Sequence, residues 1–271
     1  MLSKLIKYDI RSTWRDFAGV YLSILLGVLI VPLLFNHFNN EIVKTIAGFM
    51  ATGIVIATIV VMVITLFKIF NTNVFSKEGY LTMTLPVTAK QIVVSKLLVS
   101  SMWIVLTGIV SAIGICIFVL NLNAAPLAEV AASFQKLISM FDSSGALAIA
   151  LMILAMIISA VKEIAKLFLA CSIAHLKQLS RFRVPVGILS YFVFSWIEAL
   201  LVQAISLIAS FLPFADEITR QLKLIDDPSS ISQFIGLFSG VMTVGILYAM
   251  VLTTVYAIGT VWILNHKLDL D

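Results

Sequence analysis

Four charged side chains stand inside apolar runs that should carry none. Lys162, Glu163 and Lys166 interrupt one run, and Glu198 interrupts the next. Lys162 and Lys166 are four residues apart and share a helix face, with Glu163 three before Lys166 on its flank. Lys177 back to Lys162 is 15 residues, and Arg183 forward to Glu198 is also 15. At about 1.5 Å per residue both positions lie roughly 22 Å from the basic ends of their runs. A charge at the centre of a bilayer costs about 2.5–3.5 kcal/mol, so each of the four needs a partner or water. The equal depths predict that Glu198 lies within salt-bridge reach of Lys162 or Lys166, with Glu163 nearby. Such a group is either a polar site on a translocation path or an ion pair that fixes helix packing.

Other chemistries find no residues. The aspartates fall outside the apolar runs, so an intramembrane aspartyl pair is excluded. His37, His175 and His266 are scattered and none precedes a Glu, which leaves no HExxH zinc site and no metal ligands. No GxxxxGK[ST] loop is present, so the chain is not expected to bind ATP or to act as an enzyme. Cys116 and Cys171 lie within apolar runs and read as buried packing residues without a disulfide.

The elements that must position the four charges are membrane spans. Hydrophobic residues make up 61% of the chain, charged residues 12%, and the mean hydropathy is +1.10; soluble domains are about 25% charged. Runs at 17–35, 46–70, 97–120, 146–176, 184–212 and 234–264 each reach the roughly 20 residues that a spanning helix needs. The chain is thus expected to be an all-α polytopic membrane protein with a single six-helix domain over 17–271. The first run follows a charged segment and lacks a small-residue cleavage site, so it reads as a span rather than a leader.

Ahead of it, residues 1–16 read as an amphipathic interfacial helix. Lys4, Lys7, Arg11 and Arg15 share one face, and Leu2, Ile6, Ile10, Trp14 and Phe17 form the other. Placing the N-terminus in the cytoplasm puts twelve of the 18 Lys and Arg on the inner side (Lys4, Lys7, Arg11, Arg15, Lys68, Lys77, Lys90, Lys96, Lys177, Arg181, Arg183, Lys267). Only Lys44, Lys136, Arg220 and Lys223 fall outside. Six spans then return the C-terminus to the cytoplasm.

Outside the spans, residues 121–144 have the spacing of a helix lying on the outer leaflet. Residues 213–232 read as a short helix and a turn. Gly19, Ser23 and Gly27 step by four along the first span, a small-residue stripe that suits close contact with a second copy. Gly236 and Gly240 form a second GxxxG in the last span.

The inner loop FSKEGYLTMTLPVTAKQIVVSK, residues 75–96, is punctuated by Gly79 and Pro86. Thr88 and Gln91 form a T-x-x-Q capping box, so the third helix is expected to start near Ala89, before its span. Residues 80–85 fit a short strand or a helical turn equally. The pattern Glu78, Gly79, Leu81, Leu85, Pro86, Val87, then Ser95, Lys96, Leu97, Leu98 resembles the loop of type-2 ATP-binding-cassette permeases, over about 20 residues of motif. The six-span layout is similar along the whole chain.

That resemblance implies a permease subunit of an exporter in the cytoplasmic membrane of a bacterium, with the compact Gram-positive peptide exporters the most similar. It implies a coupling segment at Glu78, Gly79, Tyr80, Leu81, Met83, Leu85 and Pro86 that docks on a separate cytoplasmic ATPase. That partner would bind ATP and Mg, and this chain would hold no cofactor. The other implied partners are a second permease copy, membrane lipids and an amphipathic peptide substrate; nucleic acid is not expected. The residues alone leave open a stand-alone secondary transporter using the four charges, or a membrane scaffold.

Overall fold

The computed structural model describes residues 2–37, 40–75, 88–123, 143–176, 182–211 and 230–266, together with Gln135. They form six helices: α1 (Leu2–His37), α2 (Glu41–Phe75), α3 (Ala89–Asn123), α4 (Ser143–Ala174), α5 (Arg183–Ser210) and α6 (Ser230–His266). All six are long and apolar enough to cross a membrane. Helices of 28 to 37 residues extend about 42–56 Å, more than the roughly 30 Å of a hydrocarbon core. α1, α2, α3 and α6 continue beyond the spans expected for them, whereas α4 and α5 match theirs to within three residues at each end.

The largest extension is in α1. The sequence predicts an interfacial helix at 1–16 and a span starting at 17. The structure shows 36 residues of uninterrupted helix, because no proline or glycine falls between Ser12 and Ala18 to break it. The basic face is exposed as expected, but the inward face is rotated. Asp9, Thr13 and Phe17 are buried, whereas Trp14 is about half exposed. The loop residues Glu78, Gly79, Tyr80, Leu81, Met83, Leu85 and Pro86 lie outside the described residues. So do most of the segments at 121–144 and 213–232. The start of α3 is described: Thr88 N–H donates to Gln91 Oε1 at 3.2 Å, and Gln91 N–H to Thr88 Oγ1 at 3.4 Å. That is the reciprocal capping box implied by the spacing.

The helices group into two compact units, Met1–Leu137 and Ile138–Asp271. In the first unit α1 packs against both α2 and α3. Its buried residues Asp9, Thr13, Phe17, Val20, Ile24, Gly27 and Val31 advance by steps of four and three, the seam of a helix in long side-by-side contact. Asp9 meets Lys96 near one end and Asn36 meets Asn121 near the other, so α1 and α3 run parallel. Asp16 meets Lys68 and Gly27 meets Ile54, so α2 runs antiparallel to α1.

In the second unit α4 packs against α5 and α6. Its buried side chains include Ile164, Ala165, Phe168, Leu169, Ala170 and Cys171. Gly187 of α5 approaches Ala174, and Gly259 of α6 approaches Leu169, with built Cβ contacts of 3.4 and 3.2 Å. Small residues thus let both neighbours close on α4. Of the two cysteines, Cys171 is buried as expected. Cys116 is exposed on α3, which corrects its reading as a packing residue; both are free thiols.

Candidate functional site

The four charges converge. Lys162 lies 12 residues before the end of α4, about 18 Å along the helix, and Glu198 lies 15 residues after the start of α5, about 22 Å. Lys162 Nζ is 2.6 Å from Glu198 Oε2 and 3.0 Å from Glu163 Oε1. Lys166 Nζ is 2.8 Å from Glu163 Oε2 and 3.3 Å from Glu198 Oε2. Each lysine therefore bridges both carboxylates, and the formal charges sum to zero. The pairing inferred from equal depth is the geometry found.

Tyrosines complete the arrangement. Tyr256 of α6 donates its hydroxyl to Glu198 Oε1 at 2.6 Å. Tyr191 of α5 donates to Glu163 Oε2 at 2.9 Å, and its ring lies 4.8 Å from Lys166 Nζ, within cation–π range. Neither tyrosine is among the site residues expected from the sequence. Tyr191 sits seven residues before Glu198, two helical turns along the same face, and that spacing was the available signal. Tyr256 carries no comparable signal, because its partner lies on another helix.

Exposure divides the cluster. The Lys166 side chain is 3% exposed and Glu198 9%, whereas Glu163 is 44% exposed. Glu163 opens onto a groove of about 580 Å³ lined also by Ser195, Gln203 and Tyr248. The buried part can hold helices together, while the groove side can meet water or a ligand.

A second polar cluster, absent from the sequence reading, lies in the first unit. Lys96 Nζ donates to Asp9 Oδ1 at 2.5 Å and Ser95 Oγ to Asp9 Oδ2 at 2.9 Å. The Asp9 and Lys96 side chains are only 2% and 3% exposed. The ladder continues along the α1–α3 seam. Thr13 Oγ1 donates to Asp9 O, Trp103 Nε1 donates to Thr13 Oγ1, and the Trp103 ring stacks on Phe17 at 4.4 Å. Tyr21 and Thr107 share a hydrogen bond one turn further. The signal in the sequence was the lone Asp9 among four basic residues, placed four before Thr13 and eight before Phe17.

The small-residue stripe divides in two. Gly19 and Ser23 are exposed on α1, and a Cβ built on Gly19 meets nothing within 4 Å. Gly27 faces inward, and a Cβ built there lies 2.6 Å from Ile54 Cδ1. Gly27 thus serves the α1–α2 contact within the chain and is not available to a second copy. The physical reason is the 3.6-residue period: eight residues from Gly19 the helix has turned about 80°.

Matched against protein-family models, curated proteins and solved structures, the chain returns no significant hit, so the reading of these sites rests on their geometry and on the loop motif.

Proposed function

We propose that the chain is the permease subunit of an ATP-driven exporter of the type-2 ATP-binding-cassette kind. In this reading it moves an amphipathic substrate, peptide in character, out of a bacterial cytoplasm. The energy comes from a separate ATPase that docks on residues 78–86. Two copies, or one copy and a related chain, bind two ATPase subunits and open a path as the ATPases close.

The observation that supports this most directly is the junction that follows the loop. The capping box at Thr88 and Gln91 fixes the start of α3, and within two turns Ser95 and Lys96 are tied to Asp9 of α1. A push delivered to a loop is useful only if the helix behind it cannot give way. The buried ion pair supplies that stiffness, so displacement of α3 carries α1 with it.

The test is co-purification with an ATP-binding-cassette ATPase, sought first in an adjacent reading frame with a Walker A loop, together with its stimulated ATP hydrolysis. Leu81→Asp and Leu85→Asp are expected to abolish both while the permease stays folded. Wild-type yield and unchanged stimulation with both variants would overturn the reading.

The charge quartet favours a second reading, a secondary transporter driven by ion movement through the second unit. Substrate uptake into proteoliposomes containing this chain alone, under an ion gradient, would establish it. Absence of transport with and without the ATPase would leave a membrane scaffold.

A further inference from the structure

We propose that the groove beside the quartet is a hydrated binding site suited to uncharged polar groups, such as amides and hydroxyls, rather than to a free cation or anion. The inference goes beyond the exporter reading and stands whether the driving force is ATP or an ion gradient.

The walls are made by three helices of one unit. Lys162, Glu163 and Lys166 come from α4, Tyr191, Ser195, Glu198 and Gln203 from α5, and Tyr248 from α6. Only Ala199 and Val202 in the lining are apolar. The volume of about 580 Å³ far exceeds the roughly 10–15 Å³ that one water molecule requires. Glu163 is 44% exposed although it already accepts from Lys162, Lys166 and Tyr191. A carboxylate has about four acceptor positions, so one is left toward the groove. The Tyr248 hydroxyl is enclosed and has no hydrogen-bond partner among the described residues. Hydrocarbon in contact with this wall would leave the open position of Glu163 unsatisfied in a medium that cannot hydrogen-bond.

The charge state selects the occupant. Two lysines and two glutamates neutralise each other at 2.6 to 3.3 Å. A cation on Glu163 would face both ammonium groups, and an anion on Lys162 would face both carboxylates. A dipolar group meets neither opposition. It can donate to Glu163 and accept from Gln203.

Thiol labelling tests this in full-length protein reconstituted in vesicles. Cys116→Ser and Cys171→Ala remove the native thiols. Cysteines are then placed singly at Ser195 and Gln203, with Phe192, 64% exposed on the same helix outside the groove, as the control. Methanethiosulfonates react with the thiolate, which forms in water and not in hydrocarbon. The groove positions are expected to react at least tenfold faster than position 192, and at similar rates with the trimethylammonium and sulfonate reagents. Adding Glu163→Gln should tip both positions toward the anionic sulfonate. Rates no faster than at position 192 would overturn hydration. A tenfold preference for either charge in the intact quartet would overturn the selection for uncharged groups, and so would an E163Q variant that is folded but shows no change in preference.

Discussion

At the scale of single residues the two clusters are different solutions to one problem. Asp9 and Lys96 are sealed, with Ser95 taking the second carboxylate oxygen. Removing one partner of a buried pair strands a charge and typically costs about 3–5 kcal/mol, whereas replacing both with groups of similar shape is far milder. Lys96→Met alone should therefore lower the thermal stability of the purified protein in detergent more than Lys96→Met combined with Asp9→Asn. Additive losses would show that the two side chains act independently. The quartet shares its load, because each carboxylate is held by both lysines and by a tyrosine. Glu198→Gln should still destabilise more than Glu198→Gln with Lys162→Met, since the double variant leaves Lys166 paired with Glu163. A stable double variant with normal transport would make the cluster a packing device. A stable but inactive one would place it on the path.

At the scale of elements the α1 seam decides the first unit. A Leu at Gly27 must displace Ile54 of α2, and overpacking of this kind costs about 1–3 kcal/mol. Gly27→Leu is expected to lower the unfolding temperature in detergent, while Gly19→Leu leaves it unchanged because nothing lies within 4 Å of that position. Equal effects would remove the distinction. This seam also shows what the sequence could and could not reveal. All six helices were legible, because twenty apolar residues in a row admit few other structures. The quartet was legible as well, since charges in such runs stand out and depth can be counted. The rotation of α1 was not. The apolar set Ile6, Ile10 and Trp14 has as good a helical period as Asp9, Thr13 and Phe17, and a bilayer accepts the apolar face on the outside. Hydrophobicity tells a soluble helix which side is inward; in a membrane that cue vanishes and polar partners decide instead. Lys96 read as a flanking charge for the same reason.

At the scale of the whole molecule, three helices in each of two units leave extensive apolar surface for lipid or for other chains. Exposed residues on α1 include Leu22, Leu26, Leu29 and Leu33, close to Ser23. If two copies meet there, disulfide cross-linking of a Ser23→Cys variant in membranes, with Cys116→Ser to remove the exposed native thiol, should give a dimer. The same experiment at Gly27→Cys should not, because that position faces α2. Strong cross-linking at another helix, with none at position 23, would move the contact elsewhere.

The parallel pairing of α1 and α3 sets an order of events during synthesis. Asp9 and Lys96 are 87 residues apart in sequence, and a ribosome adding about 5–20 residues per second makes Asp9 wait roughly 4–17 s for its counter-ion. Through that interval α1 has only α2 beside it, held at Gly27 and Ile54, and the Asp9 carboxylate must stay hydrated. Arrival of Lys96 then draws that end against α3. The first unit can thus close without waiting for α4 to fold, leaving the second to assemble around its own charges.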